Sequence, residues 1–590
     1  MKRDDSTPAD DVTRRQSAMV LAVLILLGVA LRTVAIGRES LWTDEALTAV
    51  LVRYPWWSFA VTSVDPTPPL FYWLEKALVP EGAGPAAWRM VSLVAGVATI
   101  VLGYWLGREL KSRGAGLIAA GLIAVSAPLV DYSQEARAYA LVVAMIAGSA
   151  AALAALSGGR LAGEERRSAR RRMLAIFAMF TVLAIYSHFI AMLWVLPALF
   201  ILRLAVGGER RQVEPREMLA ATFAVLPFLA IELRRLFVYR SEQDSFSWLT
   251  QPSPTRVVEI LSEQWLPFAK AAGWPVALVG AALVLALLWS VRAALIDWGR
   301  SRPLQLLILV ALLLEPLGLW LLGELAAPVA MPRTFLPAGL GFAALIGVAI
   351  ASLKRPASVA IGTAAVGVSL ASILMAGSAR HKEQWAAAGA VTNSAPVVIM
   401  CPSWKAPSFL TQAKGLGLVI TSYRDHALVV RQPGDTASWD RLYFDRIQRY
   451  GHPLRRDRSV KLERRPITTK RLLFVASECS AIEHRAFAKW ADLRESKLLW
   501  SSPRTEDAAA IKVEEWQLGG AAPLDLWIVR EESAASSTAV RSSAIPAPVS
   551  LEVDRIKGCA AWCLRASVRT DSIVTSSAVG LILSVLVRTR

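Results

Sequence analysis

Blocks of about 17–22 apolar residues, almost free of charge, recur along the first 376 positions, and each is long enough to cross a ~30 Å hydrocarbon layer as a helix. Residues 19–36 (MVLAVLILLGVALRTVAI) and 304–325 are two of them. The whole chain is 54% hydrophobic over 590 residues, above the roughly 45–50% of a soluble domain, and the excess lies in these blocks. A single water-soluble globule is excluded.

About eleven candidate spans follow: 18–36, 90–107, 115–131, 139–157, 173–187, 189–207, 217–235, 274–291, 304–324, 335–353 and 357–376. Lysine and arginine crowd residues 1–17 and the segments after every second span, led by Arg166, Arg167, Arg170, Arg171 and Arg172. The positive-inside rule makes that side cytoplasmic. An odd number of spans then puts everything beyond residue 377 on the opposite face. The first span has no small-x-small cleavage site after it and reads as a retained helix rather than a signal peptide. The net charge of +18 belongs to this orientation. No basic, aromatic-interleaved face accompanies it, so no nucleic-acid partner is expected. The expected location is a cell membrane crossed many times, the inner membrane in a Gram-negative bacterium.

Two outer loops stand out. Residues 37–89 carry Trp42, Trp56, Trp57, Trp73 and Trp88, rings that settle at headgroup level, so short interfacial helices are expected there. Residues 232–273 are mixed polar and aromatic and are expected to lie over that loop. From 377 to 532 the long apolar runs give way to short ones. Residues 397–400, 416–421, 472–476 and 526–529 read as buried strands, and 383–394, 438–449 and 482–496 as helices of a small extracytoplasmic α/β domain. Residues 533–590 are a low-complexity linker and a weakly patterned tail to which no function is assigned. All four cysteines (Cys401, Cys479, Cys559, Cys563) lie beyond residue 400, as an oxidising compartment favours. They make no zinc pattern, and their pairing is open, a Cys401–Cys479 bridge being one choice.

Ionisable residues gather at the outer ends of the spans. LWTDEAL sets Asp44 and Glu45 side by side just past the first span. The plain reading is a helix start, with Thr43 as cap and two acids on the dipole. Adjacent acids at a membrane surface are also costly unless they have a partner or a purpose. DPTPPLFYWL holds Asp65 at a rigid corner, since its prolines deny helix before Leu70. DYSQEARAYAL brings Asp131, Glu135, Arg137 and Tyr139 to the loop between the third and fourth spans. Glu135 and Arg137 could simply pair, or Arg137 could offer its planar fork to a phosphate. YSHF places His188, and PRTFLP places Arg333, at further outer ends. Each alone is as readily an interface anchor. Together they converge on one face, while the opposite face offers mainly arginine-rich loops.

In this order LWTDEA, DPTPPLFYW, QEARAYAL, YSHF and PRTFLP resemble the GT-C membrane glycosyltransferases, in particular the bacterial branch related to protein O-mannosyltransferases and the lipid A aminoarabinose transferase. The resemblance spans about residues 18–395 and includes the trailing KEQWAAAGAV. It implies a polytopic α-helical GT-C fold of about eleven transmembrane helices with a C-terminal extracytoplasmic α/β domain. It also implies an inverting transferase that takes a sugar from a polyprenyl-phosphate donor to a lipid, glycan or protein acceptor. By the same analogy Asp44 is the general base, Glu45 orients it or binds sugar, and Arg137 and Arg333 receive the phosphate charge. Asp65, Asp131, Glu135, Tyr139 and His188 belong to the substrate pocket. A phosphate leaving group needs positive charge rather than an acid, which agrees with that division of labour. Many relatives carry His two residues after the Asp of the proline corner, where this chain has Thr67. No obligatory metal or cofactor is expected, although carboxylates alone could hold a divalent cation. The alternative is a polytopic transporter or lipid flippase, for which Glu315, followed by Pro316 inside the ninth span, is the one intramembrane candidate.

Overall fold

The computed structural model describes residues 8–52, 56, 67–80, 82–158, 166–207, 213–242, 252–265, 274–325, 329–376, 383–392, 395, 397–401, 405–412, 418–423, 426–431, 462–467, 469–502, 510–519, 524–529, 551–555 and 564–568. The chain forms two compact units, residues 1–528 and 529–590.

The first unit opens with α1 (Pro8–Thr33) and three short helices, α2 (Thr43–Leu51), α3 (Leu70–Leu78) and α4 (Pro85–Trp88), in the loop expected to hold interfacial helices. Trp73 donates its indole N–H to the Trp56 carbonyl at 2.8 Å, and Lys76 donates to the Val52 carbonyl at 2.7 Å, tying α3 to the end of α2. Then come α5 (Met90–Leu110), α6 (Arg113–Ala124), α7 (Ala127–Asp131), α8 (Tyr139–Ser157), α9 (Arg167–Ser187), α10 (Ala191–Gly207) and α11 (Pro215–Glu242). They are followed by α12 (Pro254–Trp265), α13 (Trp274–Ser290), α14 (Arg292–Ser301), α15 (Pro303–Leu313), α16 (Glu315–Leu325), α17 (Leu336–Ile350) and α18 (Arg355–Ala376).

Every one of the eleven expected segments is helical over most of its length. The expected count of eleven spans is not confirmed. Among the described residues five helices are continuous, apolar and long enough to cross a membrane, and eight if each bent pair counts as one. The difference has local causes: charged ends on α9 and α11, the short length of α10, and breaks within or at the end of three segments.

One break is explained by a buried cation. The third expected span bends by 63° between α6 and α7. Pro128 has no N–H, so the carbonyl of Ala124 four residues earlier loses its helical donor. Arg32, 0% exposed on α1, fills the gap, donating to the carbonyls of Ala124 at 3.0 Å and Ile123 at 3.1 Å. It also donates to the Ser133 hydroxyl at 3.2 Å. A guanidinium at a helix C-terminus satisfies orphan carbonyls and the negative end of the dipole together.

Small residues set the packing around the buried α8. Where α5 crosses α6, a Cβ on Gly107 would lie 2.8 Å from the Cα of Gly116, and one on Gly116 would lie 2.4 Å from the Tyr104 carbonyl oxygen. Only glycine lets the two backbones come so near. Met19, Val23 and Leu26 on α1 and Leu278, Leu283 and Trp289 on α13 face outward, as a lipid-covered belt does. On the arginine-rich side, Arg170 is buried against Glu217 at 2.7 Å, and Arg171 shares that carboxylate at 3.2 Å.

Beyond residue 382 the chain forms α19 (Trp385–Thr392), β1 (Val397–Cys401), α20 (Ala406–Gln412), β2 (Leu418–Tyr423), β3 (His426–Arg431), β4 (Leu462–Ile467), β5 (Arg471–Ser477), α21 (Ala481–Trp490), β6 (Leu493–Ser501), β7 (Ile511–Leu518) and β8 (Leu524–Val529). The eight strands make one mixed sheet in the order β4-β8-β3-β2-β1-β5-β7-β6. β1 lies parallel to both neighbours, with Ile399 opposite Ile420 and Phe474. Phe474 stacks on Trp516 at 4.4 Å in its core. Cys401 and Cys479 are disulfide-bonded, joining the end of β1 to the turn after β5. The four strands expected are present. The helix expected over 482–496 stops at Trp490, because Asp492 takes a left-handed φ of 46° and the chain turns into β6. The helix expected over 438–449 lies outside the described residues. In the second unit β9 (Leu551–Arg555) and β10 (Leu564–Val568) pair antiparallel.

Candidate active site

The two acids after α1 have opposite environments, although they are neighbours in one helical turn. Glu45 is fully buried. Arg89, in the turn before α5, grips it with Nε on Oε1 at 2.8 Å and Nη2 on Oε2 at 2.7 Å. The amides of Ala136 and Trp42 also donate to it, at 2.9 and 3.2 Å. Arg89 donates further to the carbonyls of Ile36, Glu39 and Ser40. Burial opposes its charge most strongly, but the contact with Glu45, together with the charges of Glu135 and Glu39, holds the guanidinium above its ordinary pKa. The pair thus staples the end of α1, the start of α2 and the Glu135–Arg137 loop together.

Asp44 turns the other way and keeps 27% of its side chain exposed. Arg333 meets it from the 3-10 turn Pro332–Phe335, Nη1 to Oδ2 at 3.3 Å, across 289 positions of sequence. The same guanidinium lies 5.7 Å from the centre of the Tyr139 ring, whose other neighbours are His188 at 5.0 Å and Tyr132 at 5.6 Å. His188 is buried, with Nδ1 accepting from the Ile190 amide at 3.3 Å.

Arg137 enters from the loop before α8, one turn of α2 beyond Asp44. It donates to the hydroxyls of Thr48 at 3.5 Å, Tyr72 at 3.4 Å and Thr67 at 3.5 Å, all long contacts to neutral oxygens. Thr48 donates in turn to the carbonyls of Asp44 and Ala136, each at 3.1 Å. Glu135 is buried beside it, its carbonyl taking the Arg137 amide at 2.8 Å, and Asp131 closes α7 half-buried. Asp65 lies outside the described residues. Of the nine residues singled out in the sequence, eight are described, and Asp44, Arg137, Tyr139, His188 and Arg333 come together around α2 and Tyr139.

Three further groups were not singled out. Arg89 left only a lone cation at a span's outer end as its signal. Arg235, on α11, donates to the Thr67 carbonyl at 2.9 Å and so brings the second outer segment onto the first. Glu75, on the same face of α3 as Tyr72, is 0% exposed, and neither carboxylate oxygen has a hydrogen-bond partner among the described residues. Burial, and then the charge of Glu45, push its pKa up to about 9. Three potential metal ligands cluster among the described residues, Cys401, Cys479 and Glu483, but two of them are the disulfide.

Solved structures that resemble the chain include GT-C glycosyltransferases. ArnT from Cupriavidus metallidurans in the apo state aligns over 83% of this chain and 97% of its own, with 12% identity and a TM-score of 0.48. Its undecaprenyl phosphate complex gives the same coverage with 11% identity and a TM-score of 0.49. The apo oligosaccharyltransferase of Archaeoglobus fulgidus aligns over 80% of this chain and 71% of its own, with 11% identity and a TM-score of 0.47. No family model and no curated protein sequence matches. Likenesses this remote leave the chemistry to be read from the side chains.

Proposed function

We propose that this membrane protein is a glycosyltransferase that moves a sugar from a polyprenyl-phosphate donor to an acceptor hydroxyl, with inversion, on the extracytoplasmic face. The observation that carries this reading is the contrast within one turn of α2. Glu45 is consumed by Arg89, whereas Asp44 stays partly open to solvent beside Arg333. A carboxylate so placed can accept the acceptor's proton as its oxygen attacks the anomeric carbon. The sugar–phosphate C–O bond breaks, and the electron pair leaves with the phosphate. That leaving charge needs cations, and Arg333 beside Asp44 and Arg137 beside Thr48, one turn further along α2, are placed to receive it. Arg137, whose guanidinium reaches the hydroxyls of Thr48, Tyr72 and Thr67, presents a planar fork that suits a phosphate oxygen. Tyr139 and His188 supply aromatic walls, and Asp65, Asp131 and Glu135 remain candidates for sugar or acceptor contacts. A donor whose reactive end sits at the membrane surface also explains why a sugar enzyme needs so many helices.

Purified protein in lipid, incubated with a panel of radiolabelled polyprenyl-phosphate sugars and candidate acceptors, tests the proposal. Transfer that needs Asp44 is expected. Transfer unchanged in Asp44→Asn would remove the base assignment, and no transfer from any donor would remove the reading as a whole.

A further inference from the structure

The first turn of α2 is capped only in part by its own sequence, through Glu45 and the Trp42 amide. Trp42, the residue before it, makes no side-chain cap hydrogen bond, and an indole has no acceptor to offer. The missing acceptor comes from 340 residues away. Glu383, at the entry to the C-terminal α/β domain, takes the Thr43 amide at 3.2 Å and the Thr43 hydroxyl at 2.6 Å on the same oxygen, Oε2. The indole of Trp385 donates to that oxygen at 2.7 Å, and Lys405 binds the other oxygen. The Glu383 carbonyl accepts from Ser40 at 3.0 Å. Lys405 is shared with Glu478, at 3.3 Å, the residue beside the Cys401–Cys479 disulfide. Glu383, Lys405 and Trp385 are all buried.

Asp44 follows Thr43 directly. Its turn is therefore clamped from two sides, by Glu383 through Thr43 and by Arg89 through Glu45, and its own side chain is what remains directed at Arg333. We propose that Glu383 is a positioning residue for Asp44, a helix cap supplied by the α/β domain that fixes the carboxylate in its reactive geometry. This rests on the glycosyltransferase reading for its catalytic meaning, but not for the clamp itself. It also gives the α/β domain a part in catalysis: its loss costs turnover, not only acceptor affinity. A displacement of about 1 Å at a reacting group is worth up to about 100-fold in rate, which sets the scale of the expected effect.

The test uses the full-length protein in lipid and compares Glu383→Ala, Glu383→Gln, Thr43→Val and the double variant Glu383→Ala/Thr43→Val. Glu383→Ala is expected to lower kcat about 30- to 100-fold with the KM for donor and acceptor nearly unchanged. Glu383→Gln, which keeps an acceptor for Thr43, is expected to recover part of that loss. Thr43→Val is expected to lower kcat alone, and the double variant to be no worse than Glu383→Ala, since the hydroxyl contact that Thr43→Val removes is already lost in Glu383→Ala. Hydrogen exchange at the amides of residues 43–46, read on the same proteins, is expected to quicken in Glu383→Ala while that of α5 does not change. If the wild type transfers no sugar but the exchange result holds, the function falls and the clamp stands. Strictly additive effects of the two substitutions on kcat, or exchange at 43–46 unchanged in Glu383→Ala, would overturn the inference. So would a Glu383→Ala whose whole loss appears in KM. Should Glu383→Ala fail to fold, Thr43→Val and Glu383→Gln decide the matter by the same readouts.

Discussion

Arg89 holds Glu45 through both carboxylate oxygens, at 2.8 and 2.7 Å, in a site with no access to water. A buried pair of this kind is costly to break from one side, because the partner is left charged and unpaired, a loss of about 3–5 kcal/mol. Glu45→Gln is therefore expected to lower the midpoint of thermal unfolding in detergent, and to reduce activity in proportion to the folded protein recovered. Asp44→Asn, one residue away and partly exposed, is expected to unfold at the wild-type temperature while losing about 100- to 10,000-fold in kcat. The reverse pattern, a stable Glu45→Gln and a labile Asp44→Asn, would undo the division of roles.

The two arginines are expected to separate by kinetic signature. Arg137 reaches the hydroxyls of Thr48, Tyr72 and Thr67, one turn of α2 away from the base, so Arg137→Lys, which keeps the charge but loses the planar fork, is expected to raise the donor KM more than it lowers kcat. Arg333 touches the base itself, and Arg333→Met is expected to lower kcat by about 100-fold or more, as loss of a charge stabilising the transition state does. Steady-state kinetics with one donor at varied concentration distinguish the two. A Arg333→Met variant changed only in KM would assign that residue to ground-state binding.

Glu75 makes stability depend on pH. Its folded pKa is raised to about 9, first by burial and then by Glu45, while the unfolded chain has the ordinary carboxylate value. Between those two values the folded state binds one proton more than the unfolded state. Stability is then greatest below the unfolded pKa and falls as pH rises toward 9, by at most about 1.4 kcal/mol per unit. Glu75→Gln removes the ionisable group and keeps the shape. It is expected to raise the unfolding midpoint at pH 8 and to change it little at pH 5. An equal shift at both pH values would show that Glu75 is ionised in the folded protein or already paired there.

Much of the helical architecture was legible because apolar blocks set it, and a bilayer-length run leaves the backbone few other ways to satisfy its hydrogen bonds. The strands at 397–400 and 472–476 were legible for the same reason, as short apolar runs between turns. The contacts that hold the site together were not. Arg32 inside the first span carries no local sign that it will fill the gap left by Pro128, ninety-six positions on. Thr43 looked like a helix cap, yet it is the capped residue, and the cap is Glu383, inside a motif quoted only for its likeness to a family. That Asp44 and Arg333 lie on one face was expected, but their direct pairing and the burial of Glu45 by Arg89 were not, since adjacent acids read alike until a fold separates them. Periodicity reports which face of an element is buried, not which distant side chain meets it.

Glu315 separates the transferase from the transporter or flippase. It opens α16 just after a 49° bend, it is buried, and neither carboxylate oxygen has a partner among the described residues. Pro316 explains the bend without any function, because it withholds an N–H from the carbonyl of Leu312. A transporter would use such a group, since an intramembrane carboxylate that gains and loses a proton is a common coupling element. A transferase whose chemistry lies at Asp44 has no need of it. Glu315→Gln is therefore expected to leave sugar transfer within about 2-fold of wild type, the scale of an uncoupled substitution. It is also expected to match or exceed wild-type stability, since a neutral amide replaces a group whose charged form is costly to bury. Both are read on protein in vesicles, alongside movement of labelled polyprenyl phosphate between leaflets. Leaflet exchange in the wild type that disappears in Glu315→Gln, with Asp44→Asn unaffected, would move the function from the membrane surface to the helix break.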